Sequence, residues 1–307
     1  MPEGQNATDA AATARHLWSL FEPVHVLSYF AAEPREAFEQ AGVRGYWRGY
    51  FAGRSAPLGN VGAAPVIAAF FSFAPAMVER ALPEVWELIT PTDALSVRQA
   101  GAVAALQRLL AAAGVAQDTI AAVADNLAEA TALQDAAGHV LGAANAVLPM
   151  PDEPLARLWH AATVLREHRG DGHVAALVAA DLDGAEALAL RTGVNLAAEG
   201  APSQVSWGWT RDQLQPIRGW TDADWDAATA RLAVRGLLQP DCAATPAGIA
   251  LYQRVEDATD VAAARPWSQL DLAQVTKLAS QLRQVAAACA AALPFPTPPA
   301  APTPPGR

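Results

Sequence analysis

Residues 166 to 173, REHRGDGH, gather Arg166, Glu167, Arg169 and Asp171 with His168 and His173 into eight positions of a chain otherwise rich in alanine and leucine. Glu167, His168 and His173 carry metal-ligating atoms. The two histidines are five apart, however, and Gly170 and Gly172 interrupt the helix that would fix them. No third His or Cys stands nearby at a recognised spacing, so neither a metal nor another cofactor is expected. An imidazole oriented by Asp171 or Glu167 could move protons near neutrality. No nucleophile accompanies it, and there is no phosphate-cradling glycine loop or dinucleotide fingerprint, so an enzyme of unknown reaction is the third functional reading. The glycines and the aspartate also spell a local structure: Gly170 as a helix C-terminus, Asp171 as the N-cap of a helix over 172–180. The stretch therefore reads first as a hinge, which leaves Arg166, Glu167, His168 and His173 around it without a role.

A second constellation is aromatic. Glu22, His25 and Tyr29 are three and four residues apart and fall on one face of a first helix, and Tyr46, Trp47, Tyr50 and Arg54 repeat the spacing on another. Phe70, Phe71 and Phe73 follow in a segment too apolar to face water, as core or as a pocket wall. Trp207, Trp209, Trp220 and Trp225 fall within twenty residues, where they suit either stacking on a flat ligand or anchoring an irregular loop. Aromatic walls with a few polar groups are what a small organic ligand needs. In that reading Arg54 and Arg166 anchor an anion or carbonyl, and His25 and His168 supply hydrogen bonds.

The elements that position these residues are helices. Apolar residues recur at spacings of three and four over most of the 307 positions, and strand-like alternation is nearly absent. The spacing predicts a first helix over 15–29, bent at Pro23, then helices over 34–40, 45–52, 61–71, 75–82 and 92–112, and one amphipathic helix with a connector over 113–150. The length suits two domains. No apolar run reaches the 18 residues of a membrane span, and the N-terminus has neither a basic start nor an apolar h-region, so a cytoplasmic protein is expected. Cys242 and Cys289 are the only cysteines and read as packing residues; a proline-rich tail, PFPTPPAAPTPPGR, is expected to be disordered or polyproline-II-like.

The halves also resemble each other in order: Leu17-Trp18 with Leu158-Trp159, AGVRGY with ADLDGA, and ITPTDALS with ATPAGIAL. In the second half, GWTDADWDAATARLAVRGLLQPDCAATPAGIALYQRV reads as a helix started by Thr221 and Asp224, two short strands about a Pro-Asp turn, and a helix capped by Thr245 with Pro246 at its first position. That order resembles the winged-helix domain of MarR-type regulators over about 45 residues. EPVHVLSYF, YWRGYFAGRSAPLG and LREHRGDGH resemble an uncharacterised bacterial helix-turn-helix family over most of the chain. The resemblance implies a mainly α fold of two tandem winged-helix-like lobes packed as a pseudo-dimer, either as a monomer or in a homodimer, with a short β-wing in the second lobe. The expected boundaries are 1–13 for a disordered start, 14–112 for the first lobe, 113–153 for a helical connector, 154–292 for the second lobe and 293–307 for a disordered tail.

DNA binding would require basic residues on or beside the second-lobe recognition helix, and Arg211, Arg218, Arg231 and Arg235 are the candidates. Its first turn is acidic, with Asp222, Asp224 and Asp226, and the chain carries a net charge of −10, which opposes non-specific DNA affinity. The leading expectation is therefore a protein that binds a hydrophobic or aromatic small molecule between its lobes, by sequestering or sensing it. A ligand-responsive DNA-binding regulator is the alternative.

Overall fold

The computed structural model describes residues 3–198 and 209–294, so Trp207 lies outside the described residues. The chain runs α1 (Glu3–His25), α2 (Leu27–Phe30), α3 (Ala32–Gln40), α4 (Tyr46–Ser55), α5 (Ala63–Phe70), α6 (Pro75–Glu79), α7 (Pro91–Ala112), α8 (Gln117–Thr131), α9 (Val140–Ala146), α10 (Pro154–Ala179), α11 (Gly184–Ala197), α12 (Arg211–Arg218), α13 (Asp222–Val234), α14 (Pro246–Ala262) and α15 (Leu272–Ala290). Pro23 has no N–H to return to the preceding turn, and α1 stops two residues later before the chain turns into α2.

Three apolar clusters organise these helices. The central one joins Leu17 and Phe21 of α1, Leu106 and Leu110 of α7, Ile120 and Leu127 of α8, Leu158 and Trp159 of α10, and Leu278 and Leu282 of α15. In it α1 packs against α10 and α15, while α10 also packs against α7, α8 and α9. A second cluster gathers Phe38, Phe51, Phe70, Phe73 and Met77 in the first half. The third gathers Leu188, Trp225, Leu232, Leu237 and Leu251 in the second.

The expected recognition-helix segment forms as spelled. Thr221 accepts the Asp224 N–H and starts α13, and Thr245 accepts the Gly248 N–H with Pro246 in the first turn of α14. The expected two-stranded wing between them is reduced to one antiparallel bridge, Leu238 to Ala244.

The hinge expected at Gly170 and Asp171 is absent, because α10 runs unbroken for 26 residues through REHRGDGH. The glycines serve contact between helices rather than a turn. A Cβ on Gly172 would stand 2.7 Å from the Ala262 Cβ of α14, and a Cβ on Gly142 of α9 would stand 2.7 Å from the His168 Cα. Asp171 does cap a helix, but not its own: its Oδ2 accepts the Gly142 N–H at 2.8 Å, one of the first-turn amides of α9 that have no partner within that helix.

Candidate functional site

Because α10 is continuous, Arg166, Arg169, Gly170 and His173 fall at helical spacing on one face, and that face forms one side of a cavity of about 730 Å³. Trp18 and Glu22 of α1, Tyr29 and Phe30 of α2, and Tyr46, Trp47 and Tyr50 of α4 line it from the first half. From the second half come Arg191 of α11, Trp209, Leu214, Ile217 and Arg218 in and before α12, and Tyr252, Glu256 and Thr259 of α14. A recess of about 220 Å³ shares Tyr50, Arg166, His173, Arg191 and Arg218 with the cavity and extends it toward Arg54, Phe70 and Phe73. The α12 segment is tied across the two halves: the Ala74 N–H donates to the Arg218 carbonyl at 2.8 Å, and the Trp220 indole donates to the Ser72 carbonyl at 2.9 Å.

Buried ion pairs hold the floor. Arg54 donates from Nε and Nη2 to the two Glu167 oxygens at 2.9 and 3.0 Å, and Arg166 donates to Glu167 Oε2 at 3.0 Å. Arg166 also faces Glu22 at 3.6 Å, and Glu22 accepts the Trp18 indole N–H at 2.9 Å. Burial alone would raise the Glu167 carboxyl, but Arg54 and Arg166 overcome it and hold that carboxyl well below the usual carboxylate range. A second network joins Arg15 and Arg169 to Glu256 and Asp260, with Arg169 lying over the Trp18 ring at 4.5 Å. Burial pushes the His173 imidazole down to about 4, so it stands neutral beside the Thr259 hydroxyl at 2.9 Å.

Of the residues singled out in the sequence, Glu22, Tyr29, Tyr46, Trp47, Tyr50, Arg166, His173 and Trp209 line the cavity, and Arg54, Phe70 and Phe73 line its recess. Glu167 lies behind them, holding Arg54 and Arg166. His25 and His168 are elsewhere. His25 is buried behind Tyr29 and meets the Thr163 hydroxyl at 3.0 Å, and burial together with Arg166 keeps it well below neutrality. His168 stacks on His139 with ring centres 3.8 Å apart, on the side of α10 packed against α9. Trp225 is core, and Trp220 is the tie described above.

The four DNA-contact candidates are engaged within the chain. Arg211 pairs with Asp222 and Asp226, Arg231 with Asp183 and Glu186, and Arg235 donates to the Asp181 and Ala180 carbonyls, whereas Arg218 faces the cavity over the Phe73 ring at 4.5 Å.

Sequence reasoning missed Trp18, Arg169, Arg191, Tyr252 and Glu256. A signal was present for some of them: Tyr252, Glu256 and Asp260 recur every four residues along α14, as Trp18 and Glu22 do on α1. Arg191 carried none, because nothing near it in the chain suggests a site.

The architecture is that of a mainly helical protein whose two halves enclose a cavity lined by aromatic rings and arginines. The chain belongs to the Helix-turn-helix family, whose family model matches residues 14–296. Comparison with curated proteins and with solved structures finds no match. Among the described residues no helix is long and apolar enough to cross a membrane.

Proposed function

We propose that the chain is a small-molecule sensor of the helix-turn-helix family, which takes a compact organic ligand into the cavity between its halves. The observation that carries this reading is the cavity. Its volume lies in the range of small-molecule sites. Aromatic rings from α2 and α4 face a wall built from α10, α11, α12 and α14, so an occupant touches both halves at once. A ligand held this way favours whichever arrangement of the halves fits it, which is the requirement for sensing.

Family membership favours DNA as the output over simple sequestration. Arg231 and Arg235 support it, because both are partly exposed; Asp183 and the α10 end lie at the surface, while Glu186, which both arginines also meet, is buried. An exposed pair such as Arg231–Asp183 is worth about 1 kcal/mol or less, so a phosphate could take over that contact. We also read the halves as tandem lobes related by a pseudo-twofold. In support, α7 and α14 both begin with a capping threonine followed by proline, and α1 packs on α14 and α15 while α10 packs on α7 and α8.

Tryptophan fluorescence tests the sensing site directly, since Trp18, Trp47 and Trp209 line it. A panel of small aromatic molecules titrated into the protein is expected to quench emission saturably, and Trp47→Ala to weaken the best binder about tenfold or more. Quenching that does not saturate, or is indifferent to Trp47→Ala, would remove the cavity reading. For the output, DNA from upstream of the protein's own gene should be shifted at low salt, with a steep loss as salt rises and a change on adding the binder. No shift at low salt leaves sequestration instead.

A further inference from the structure

The cavity's charges do not balance, and the imbalance is located. Arg54 and Arg166 face Glu167 and Glu22, and Arg15 and Arg169 face Glu256 and Asp260. Four arginines thus meet four carboxylates, and Arg35, which also lines the cavity, pairs with Glu39 at its exposed edge. Arg191 and Arg218 remain, and among the described residues neither has a carboxylate within ion-pair distance. The Nε atom of each is buried without a hydrogen-bond acceptor. Both side chains are partly buried at the cavity wall, Arg218 against the Phe73 ring, and neither has an anion among the described residues to offset its charge. Burial, reinforced by the positive charges of Arg54, Arg191 and Arg166, accordingly pushes Arg218 down to about 10.

Resting on the reading of this cavity as a ligand site, we infer that the ligand is an organic anion, an aromatic or alicyclic body whose acidic head is held by Arg191 and Arg218. Both arginines line the large cavity and its recess alike, so they stand where the two spaces meet. A head group placed there leaves the body free to lie along Tyr46, Trp47 and Tyr50. The guanidinium fork matches the paired oxygens of a carboxylate or phosphate, which is how arginine recognises both. His173, neutral and bonded to Thr259, adds no competing charge. The arginines first suggested as anchors, Arg54 and Arg166, are already neutralised by Glu167 and Glu22 and serve to fix the floor.

Two dyes that differ mainly in charge test this: anilinonaphthalene sulfonate and the neutral phenylnaphthylamine, titrated into wild type, Arg191→Gln, Arg218→Gln and Trp47→Ala. The sulfonate is expected to bind wild type at least tenfold more tightly than the neutral dye. Each glutamine variant should weaken the sulfonate fivefold or more while leaving the neutral dye unchanged. Without dye, each glutamine variant should melt at or above the wild-type temperature, because a repulsion has been removed. Competition by naphthoate and by naphthyl phosphate then identifies the head group, the stronger competitor naming it. Equal binding of the two dyes, both weakened by Trp47→Ala, overturns the anion and keeps the cavity. Dye binding that is absent, or indifferent to Trp47→Ala, overturns the cavity reading itself. A lower melting temperature in both glutamine variants would show the arginines to be structural and would also overturn the inference.

Discussion

Asp171 illustrates how a residue's neighbours decide its chemistry. Its carboxyl is buried in α10 with the Gly142 N–H as a partner, and burial raises it to about 7 in spite of that bond. An unfolded aspartate titrates near 4. The folded protein therefore keeps a proton that the unfolded chain releases between about pH 4 and pH 7. The stabilisation is full below that window and is lost as pH rises through it. Asp171→Asn keeps an acceptor for Gly142 and removes the titration. Its stability relative to wild type, followed by melting temperature, should climb from pH 4.5 to pH 8, reaching a gain of up to a few kcal/mol. The buried histidines His160, His168 and His173, each held down near 4 chiefly by burial, act in the opposite sense: their contribution is full above about 6.5 and fades toward pH 4. They are present in both proteins, so the difference between the two melting curves isolates Asp171. A difference that does not vary with pH would contradict the assignment.

At the scale of elements, helix periodicity and capping were legible in the sequence, and long-range packing was not. Thr221, Thr245 and their partners start α13 and α14 as their spelling predicts, since N-caps are local chemistry. The aromatic residues of α4 were readable as a wall for the same reason. Gly170 and Gly172 misled, because a glycine needed for close approach and a glycine needed for a turn look alike until the partner helix is known. The two positions now make opposite predictions. Gly170 lies inside α10 with nothing nearer to an added Cβ than 3.5 Å, so Gly170→Ala should raise stability by about 0.5–1 kcal/mol. Gly172→Ala would press on Ala262 of α14 and should lower stability by about 1–3 kcal/mol. Chemical denaturation of the two variants decides it. A hinge at this place would make Gly170→Ala the damaging one, as its side chain would then meet a left-handed backbone.

For the whole molecule, the cavity arises from the way the halves meet rather than from either half. Its residues come from α1, α2, α3 and α4 on one side and from α10, α11, α12 and α14 on the other, joined where α12 is tied to residues 72 to 74. Arg191 could not be found from the sequence for this reason: it becomes part of a site only when α11 is brought opposite the α4 rings. The proposed ligand site, the anionic ligand inferred for it and the proposed output on DNA all depend on this junction. The most direct measurement is a crystal structure of the protein with anilinonaphthalene sulfonate at a concentration that saturates it in solution. The account predicts dye density between Trp47 and α10 with the sulfonate at Arg191 and Arg218. Density confined to the outer surface, with the cavity holding only water, would contradict it.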